Sequence, residues 1–307
     1  MTPELDQYLY LRHLKRRLFW WRIIALLAII VAVVMVLHGN GFGIERAHIA
    51  RLRVSGLITE DQNLTRAVEK LGDDDKVKAL IVSVDSPGGS VAGGESLHDA
   101  IAYVAAKKPV VTVMGGLAAS AGYMISVPAA RIFAHEATLT GSIGVLLEAP
   151  EASGLLAKIG VDAQTIVSGP LKDQPSFTHP LSPQGQQVLQ SLVMDMYDQF
   201  VTMVANGRHM DPDKVRQLGD GRAYTGRQAL QLGLIDAIGG ERDAREWLAS
   251  TKGVSADLPV ENVSTRGFAE RTLSGALGPL FTGLWKTVIS QGVMLDGAWA
   301  VWHRSDG

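Results

Sequence analysis

Two apolar runs, VKALIVSVD (residues 77–85) and PVVTVM (109–114), constrain the fold more than any other feature of this chain. Each is of strand length and lacks the polar alternation of a half-exposed strand, so each is expected to be buried on both faces of a sheet. A glycine-rich stretch follows each run, SPGGS after the first and GGLAAS after the second, and is expected to break the strand. Helical segments come next: VAGGESLHDAIAYVAA, with Leu97, Ile101 and Val104 in register, and the short AGYMISV. Repeated buried strand, glycine break and helix specify an α/β domain with a largely parallel sheet. Sites in such sheets form in the loops leaving the carboxyl ends of strands. Both glycine breaks are loops of that kind.

The remaining segments extend the pattern. HIARLRVSGLI alternates like a strand, and DQNLTRAVEKL places Leu64, Val68 and Leu71 on one helical face. ARIFAHEATLTGSIGVLLEA is expected to give two short strands around TGSIG. PEASGLLAKIG reads as a helix, and VDAQTIVSGPLKDQPSF as a strand followed by a polar loop. A long helix follows from residue 183, with Ser182 as its cap and Pro183 at its first position. Two short helices with glycine stops follow, in DPDKVRQLGDG and TGRQALQLGLIDAIGG. The folded unit is expected over residues 45–252. Residues 253–307 are expected to be a linker (GVSADLPVENVSTRG) and an apolar tail broken by glycines, Lys286 and Asp296. That tail is suited to lie along a membrane or to pack on another subunit.

The first 22 residues are basic: Arg12, Lys15, Arg16, Arg17 and Arg22 stand against Glu4 and Asp6. They lead into FWWRIIALLAIIVAVVMVL, apolar without interruption from Ile23 to Leu37. Residues 19–38 approach the ~20 residues of a membrane-spanning helix. Tryptophans at one end suit an interface belt, and Arg22 can snorkel to headgroups. A cleavable signal peptide needs a small-x-small site, and none is convincing after the apolar run. A core helix apolar on every face is unusual in a domain this small. The segment is therefore expected to be a single-pass anchor in the cytoplasmic membrane. The positive-inside rule puts the N-terminus in the cytoplasm and everything beyond about residue 39 outside it.

A net charge of −2 gives no support for a nucleic-acid partner. With no cysteine, disulfides, thiolate catalysis and cysteine-ligated zinc are excluded. SPGGSVAGG lacks the GxxxxGK[ST] pattern of a phosphate-binding loop. The carboxylates of GDDDK (72–76) read as a solvated acidic turn, and Asp85 as a residue that orients its loop.

Ser120 in GGLAASAGYM is the candidate nucleophile. Small neighbours leave its hydroxyl accessible, although they also suit a tightly packed turn with no chemistry. A serine hydroxyl needs a base to take its proton. The chain has eight histidines, and none lies in a glycine-broken strand end or beside an acidic partner in the sequence reading. Lysine is the other common partner, provided its environment lowers its pKa. Lys172 in VSGPLKDQPS follows an apolar run in a glycine- and proline-bounded loop, where a solvated loop lysine is the bland alternative.

VDSPGGSV, GGLAASAGYMIS, TGSIGV, SGPLKD and GRAYTGRQALQLGLIDAIGG occur in this order. Together they resemble the signal peptide peptidase A family, membrane-anchored serine peptidases of the Clp-protease/crotonase fold, in its short bacterial form. The likeness covers about residues 48–250. It implies Ser120 as nucleophile, Lys172 as general base and Ser142 as the hydroxyl that holds the lysine. It also implies the N–H groups of Gly89 and Ala121 as the oxyanion hole. Where the family usually reads AASGGY, this chain has Ala121 in place of the first glycine. An alanine there would be strained if the position needs positive φ. The resemblance further implies a homo-oligomeric ring in which serine and lysine meet across a subunit boundary, with no metal or organic cofactor. The implied substrates are remnant signal peptides and other apolar, extended peptides. A membrane-protein quality-control protease with the same dyad is an alternative. So are an acyl-CoA enzyme of the crotonase type and a catalytically silent membrane scaffold.

Overall fold

A computed structural model describes residues 15–29, 31 and 46–263. It divides into two units, one holding the N-terminal segment and the other spanning Arg46–Thr265. In the first, residues 15–29 form a helix, α1, with exposed apolar side chains that include Trp20, Trp21 and Leu26. No helix among the described residues is long and apolar enough to cross a membrane. Residues 30 and 32–38 of the expected anchor lie outside the described residues, as does the C-terminal tail from 264.

The second unit is one eight-stranded sheet with helices on both faces. Its strands are β1 (His48–Ile58), β2 (Val77–Gly89), β3 (Val110–Ala119), β4 (Arg131–Ala134), β5 (Leu139–Gly141), β6 (Ala223–Thr225), β7 (Ala237–Ile238) and β8 (Val260–Asn262). The main path runs β6-β5-β3-β2-β1-β8, and β4 pairs with both β3 and β7. All pairings are parallel except β5 with β6. Helices α2 (Gln62–Asp73) and α3 (Val91–Ala105) provide the first two crossovers. Asp61 and Ser90 cap them by accepting backbone N–H bonds. Ser182 caps the long α6 (Pro183–Arg208) with Pro183 in its first turn, as the sequence indicates.

The apolar runs are buried on both faces, as expected. Leu80, Val82 and Val84 of β2 join a core with Leu97 and Ile101 of α3 and Phe200 and Val204 of α6. Ile81 points to the opposite face, with Val111, Phe133 and, from α9 (Glu241–Lys252), Ala244 and Leu248. Each buried Val, Leu, Ile or Phe among them contributes roughly 1.5–3 kcal/mol.

Three expectations are corrected. First, the glycine stretches do not end their strands. β2 continues through Ser86–Gly89, and β3 continues through Gly115 and Gly116. Their register shifts at this point, from Val84 opposite Met114 to Ser86 opposite Ala118. Asp85 bridges the irregularity: its Oδ1 accepts the Leu117 N–H at 3.1 Å, and a side chain on Gly115 would press within 3.2 Å of that oxygen. Glycine thus allows the strand to bulge rather than stop. Second, VDAQTIV forms no strand, nor do the residues after TGSIG. They pair with no strand of the sheet, and a lone strand leaves its backbone groups without partners. Third, the folded unit runs past residue 252. Val260–Asn262 adds a strand beside Ile49–Arg51 of β1.

Candidate active site

The site begins with the upper half of β3. Below the bulge β3 pairs with β4; above it, Leu117–Ala119 pairs with Leu139–Gly141 of β5. Ala119 lies opposite Gly141, so Ser120 and Ser142 leave neighbouring parallel strands side by side. Both have positive φ, 55° at Ser120 and 47° at Ser142. Such conformations cost a non-glycine residue on the order of 1–3 kcal/mol and persist only where the surroundings impose them. The surroundings here are explicit. Ser120 donates its N–H to Gly141 O at 2.9 Å, while its carbonyl accepts the N–H groups of Tyr123 and Met124 at 2.9 Å. Ser142 donates its N–H to Arg222 O at 3.0 Å.

Ser120 is half-buried and opens α4 (Ala121–Met124), its side chain making no capping bond to that helix. Ala121 does not have positive φ, so the strained position is the serine and alanine is tolerated. Its methyl group faces Gly94 of α3, where an added Cβ would come within 2.9 Å. The N–H of Ala121 is the first of a helix, where no intrahelical acceptor exists.

The Ser-Pro-Gly-Gly stretch closes over this turn. Gly88 has φ +113°, and a Cβ on it would lie 2.8 Å from Ser120 Cβ and 3.1 Å from Ala121 N. Gly89 sits opposite Ile58, and a Cβ there would run into the Ile58 carbonyl at 1.8 Å. Gly88, rather than the Gly89 expected from the sequence, is the glycine that packs directly on the serine. The GG pair carried the signal, but spacing does not say which member faces the serine.

The Ser142 hydroxyl donates to Gly221 O at 3.1 Å. Its one proton is thereby engaged, and its lone pairs remain free to accept from an amine. Lys172 is held differently. It lies in the exposed loop between α5 (Ser153–Lys158) and α6, and its side chain makes no hydrogen bond or ion pair among the described residues. Within one chain the serines are brought together and the lysine is not joined to them.

Histidines do have acidic neighbours, contrary to the sequence reading: His48 with Glu261 at 3.9 Å, His98 with Asp99 at 2.9 Å and His179 with Asp173 at 2.7 Å. None of them hydrogen-bonds Ser120. The His48 and His179 pairs close over long or irregular separations that periodicity does not reveal.

The profile of peptidase family S49 matches residues 102–255, from α3 through the end of α9. The chain belongs to peptidase family S49. A Clp protease profile also matches residues 59–139, which carry β2, β3 and both glycine stretches. A Synechocystis protein provisionally described as a protease is 41% identical, over 69% of this chain and 77% of that one. An Enterococcus faecium protein provisionally described as the signal peptide peptidase SppA is 38% identical, over 76% of this chain and 73% of that one. The chloroplastic serine protease SPPA of Arabidopsis thaliana is 32% identical over 79% of this chain, which spans 35% of that protein. The chain is thus a serine peptidase with a Clp-protease-like α/β fold.

Proposed function

We propose that this S49 peptidase is an anchored endopeptidase that uses a Ser120–Lys172 dyad completed between subunits. Its substrates are remnant signal peptides and other apolar, extended peptides near the membrane. The observation that carries the reading is Ser120 itself: a serine in a strained turn at the end of a central strand, beside Ser142 and under Gly88.

The chemistry follows from these groups. Ser120 Oγ attacks the scissile carbonyl carbon as Lys172 Nζ takes the hydroxyl proton. The carbonyl oxygen becomes an oxyanion against the N–H groups of Gly89 and Ala121; one such donor is typically worth about 3 kcal/mol of barrier. Collapse breaks the C–N bond, and the lysine ammonium protonates the departing amine. Water then adds to the acyl carbon as Lys172 takes one of its protons; the C–Oγ bond breaks as the lysine ammonium returns that proton to Ser120 Oγ, releasing the carboxyl product and restoring the free serine and amine. Throughout, Ser142 Oγ accepts an N–H of Lys172 and keeps the amine lone pair on line.

Support for completion between subunits comes from residues 144–184, among which none is buried. Leu146, Leu155, Ile159, Ile166 and Phe177 are all more than half exposed there. Apolar surface on that scale marks an interaction site. Support for the anchor is the basic N-terminus ahead of the apolar run at 19–38 and the exposed apolar side chains of α1. An extended apolar peptide would be held by strand addition.

The test is covalent. A fluorophosphonate should label Ser120 in the wild-type protein in detergent, and labelling should fall sharply in Lys172→Ala. A label found on another residue overturns the assignment. A synthetic signal peptide should be cut faster than a polar peptide of equal length; equal rates would remove the substrate reading.

A further inference from the structure

The loop that carries Lys172 is held by side chains rather than by a core. Its backbone contacts are sparse: Lys172 N–H to Gly169 O at 3.1 Å, and Phe177 O accepting the Ala152 N–H at 2.9 Å. The two residues directly after the lysine are both tied. Gln174 Oε1 accepts the N–H of Ser182, the α6 cap, at 3.0 Å. Asp173 Oδ2 lies 2.7 Å from His179 Nε2, with Ser176 Oγ donating to the same oxygen at 3.4 Å.

The imidazole is set between two acceptors. Nε2 faces the Asp173 carboxylate, and Nδ1 lies 3.4 Å from Pro180 O. A neutral histidine donates from one ring nitrogen only, whereas the imidazolium donates from both. Acceptors on both ring nitrogens therefore favour the charged ring.

We propose that the Asp173–His179 pair is a positioning clamp for Lys172, fixing the loop that presents the amine to Ser120 and Ser142. The inference rests on the dyad reading above. His179 does not touch the reacting atoms. It acts through Asp173, one residue from the lysine.

The hydrogen bond that His179 donates to Asp173, followed by that to Pro180, raises the His179 pKa above its ordinary value. The same pair holds the Asp173 carboxyl below the usual carboxylate range. The other groups facing the pair are Glu151 from the segment before α5 and the Thr165 hydroxyl. A raised histidine pKa means the clamp is fully charged below the ordinary histidine value. It slackens as pH rises through the raised one.

The experiment compares wild type, His179→Ala, His179→Gln and Asp173→Asn as full-length protein in detergent, with assembly followed by light scattering. His179→Ala should lower kcat about tenfold with KM within about twofold, because a misplaced catalytic group costs rate rather than binding. His179→Gln keeps an N–H donor for Asp173 and should recover most of that loss. It should also lack the alkaline loss of kcat that titration of His179 gives the wild type. Wild-type kcat in His179→Ala, or no recovery in His179→Gln, overturns the clamp. If His179→Ala fails to assemble, Asp173→Asn decides: a lowered kcat with a shifted alkaline limb supports the clamp, and an unchanged profile overturns it. Lys172→Ala assayed alongside separates the two failures. Full activity there removes the dyad itself, whereas an inactive Lys172→Ala beside an unaffected His179→Ala removes the clamp alone.

Discussion

The two halves of the site are held by different means. Ser120 ends a strand whose neighbours are buried on both sides; Ala118, Ala121 and Tyr123 around it are at most 2% exposed. The backbone strain at the serine is imposed by β5, α4 and Gly88. Lys172 belongs to a stretch of the chain, residues 144–184, that buries nothing. A single chain fixes the geometry of Ser120 and leaves Lys172, the proposed base, on an exposed loop. Under the proposed dyad, the difference would mean that the serine's function is encoded in the core of one subunit and the lysine's in what that loop packs against in an assembly.

The largest expected effect separates chemistry from folding. Ser120→Ala and Lys172→Ala should each lower kcat by about 10⁴-fold or more. Lys172→Ala should leave the unfolding free energy within about 0.5 kcal/mol, since its exposed side chain makes no hydrogen bond or ion pair among the described residues. A large stability loss on removing Lys172 would break the contrast.

Gly88→Ala comes next. It forces a Cβ to within 2.8 Å of Ser120 Cβ at a position with φ +113°. kcat should fall about 100-fold as the serine shifts, with destabilisation of about 1–3 kcal/mol. Both are read from steady-state kinetics and a denaturant melt of the same preparation.

A smaller effect tests the exposed half. Ile166 is fully exposed, at 101%. Ile166→Ser should leave the stability of the single chain within about 0.5 kcal/mol. It should also shift assembly, and with it activity, to protein concentrations about tenfold higher, since roughly 1.4 kcal/mol of lost contact is tenfold in an association constant. Activity that is unchanged on dilution in this variant would place Ile166 outside any interface.

The smallest effect measures the strain. Ser120→Gly should abolish activity and raise stability by about 1 kcal/mol, because glycine adopts positive φ without the steric cost. No gain in the urea midpoint would mean the turn is not strained.

Much of the serine half was legible in the sequence. Continuous β-branched runs, glycines at strand ends and helical periodicity are local signals, and they give the buried parallel sheet and place Ser120 just past the carboxyl end of one of its strands. The bulges at Ser86 and Gly115 were not legible, because a glycine that stops a strand and one that bends it look alike until the partner strand is known. Val260–Asn262 was missed because three residues paired to a distant strand carry no periodicity. The strand expected at VDAQTIV failed for the converse reason: apolar β-branched residues predict a strand only where an edge is available to pair with. Likewise the Asp173–His179 contact depends on how a loop closes, which composition does not encode.

The most direct test of a site completed between subunits is to mix two inactive proteins. Ser120→Ala and Lys172→Ala are unfolded together, refolded, assembled in detergent and assayed on a fluorogenic apolar peptide, with mixed assemblies verified by two different affinity tags. If each site takes its serine from one copy and its lysine from the next, random mixing should restore about a quarter of wild-type activity. Mixed assemblies that form and remain inactive would contradict it, and would place serine and lysine within the same chain.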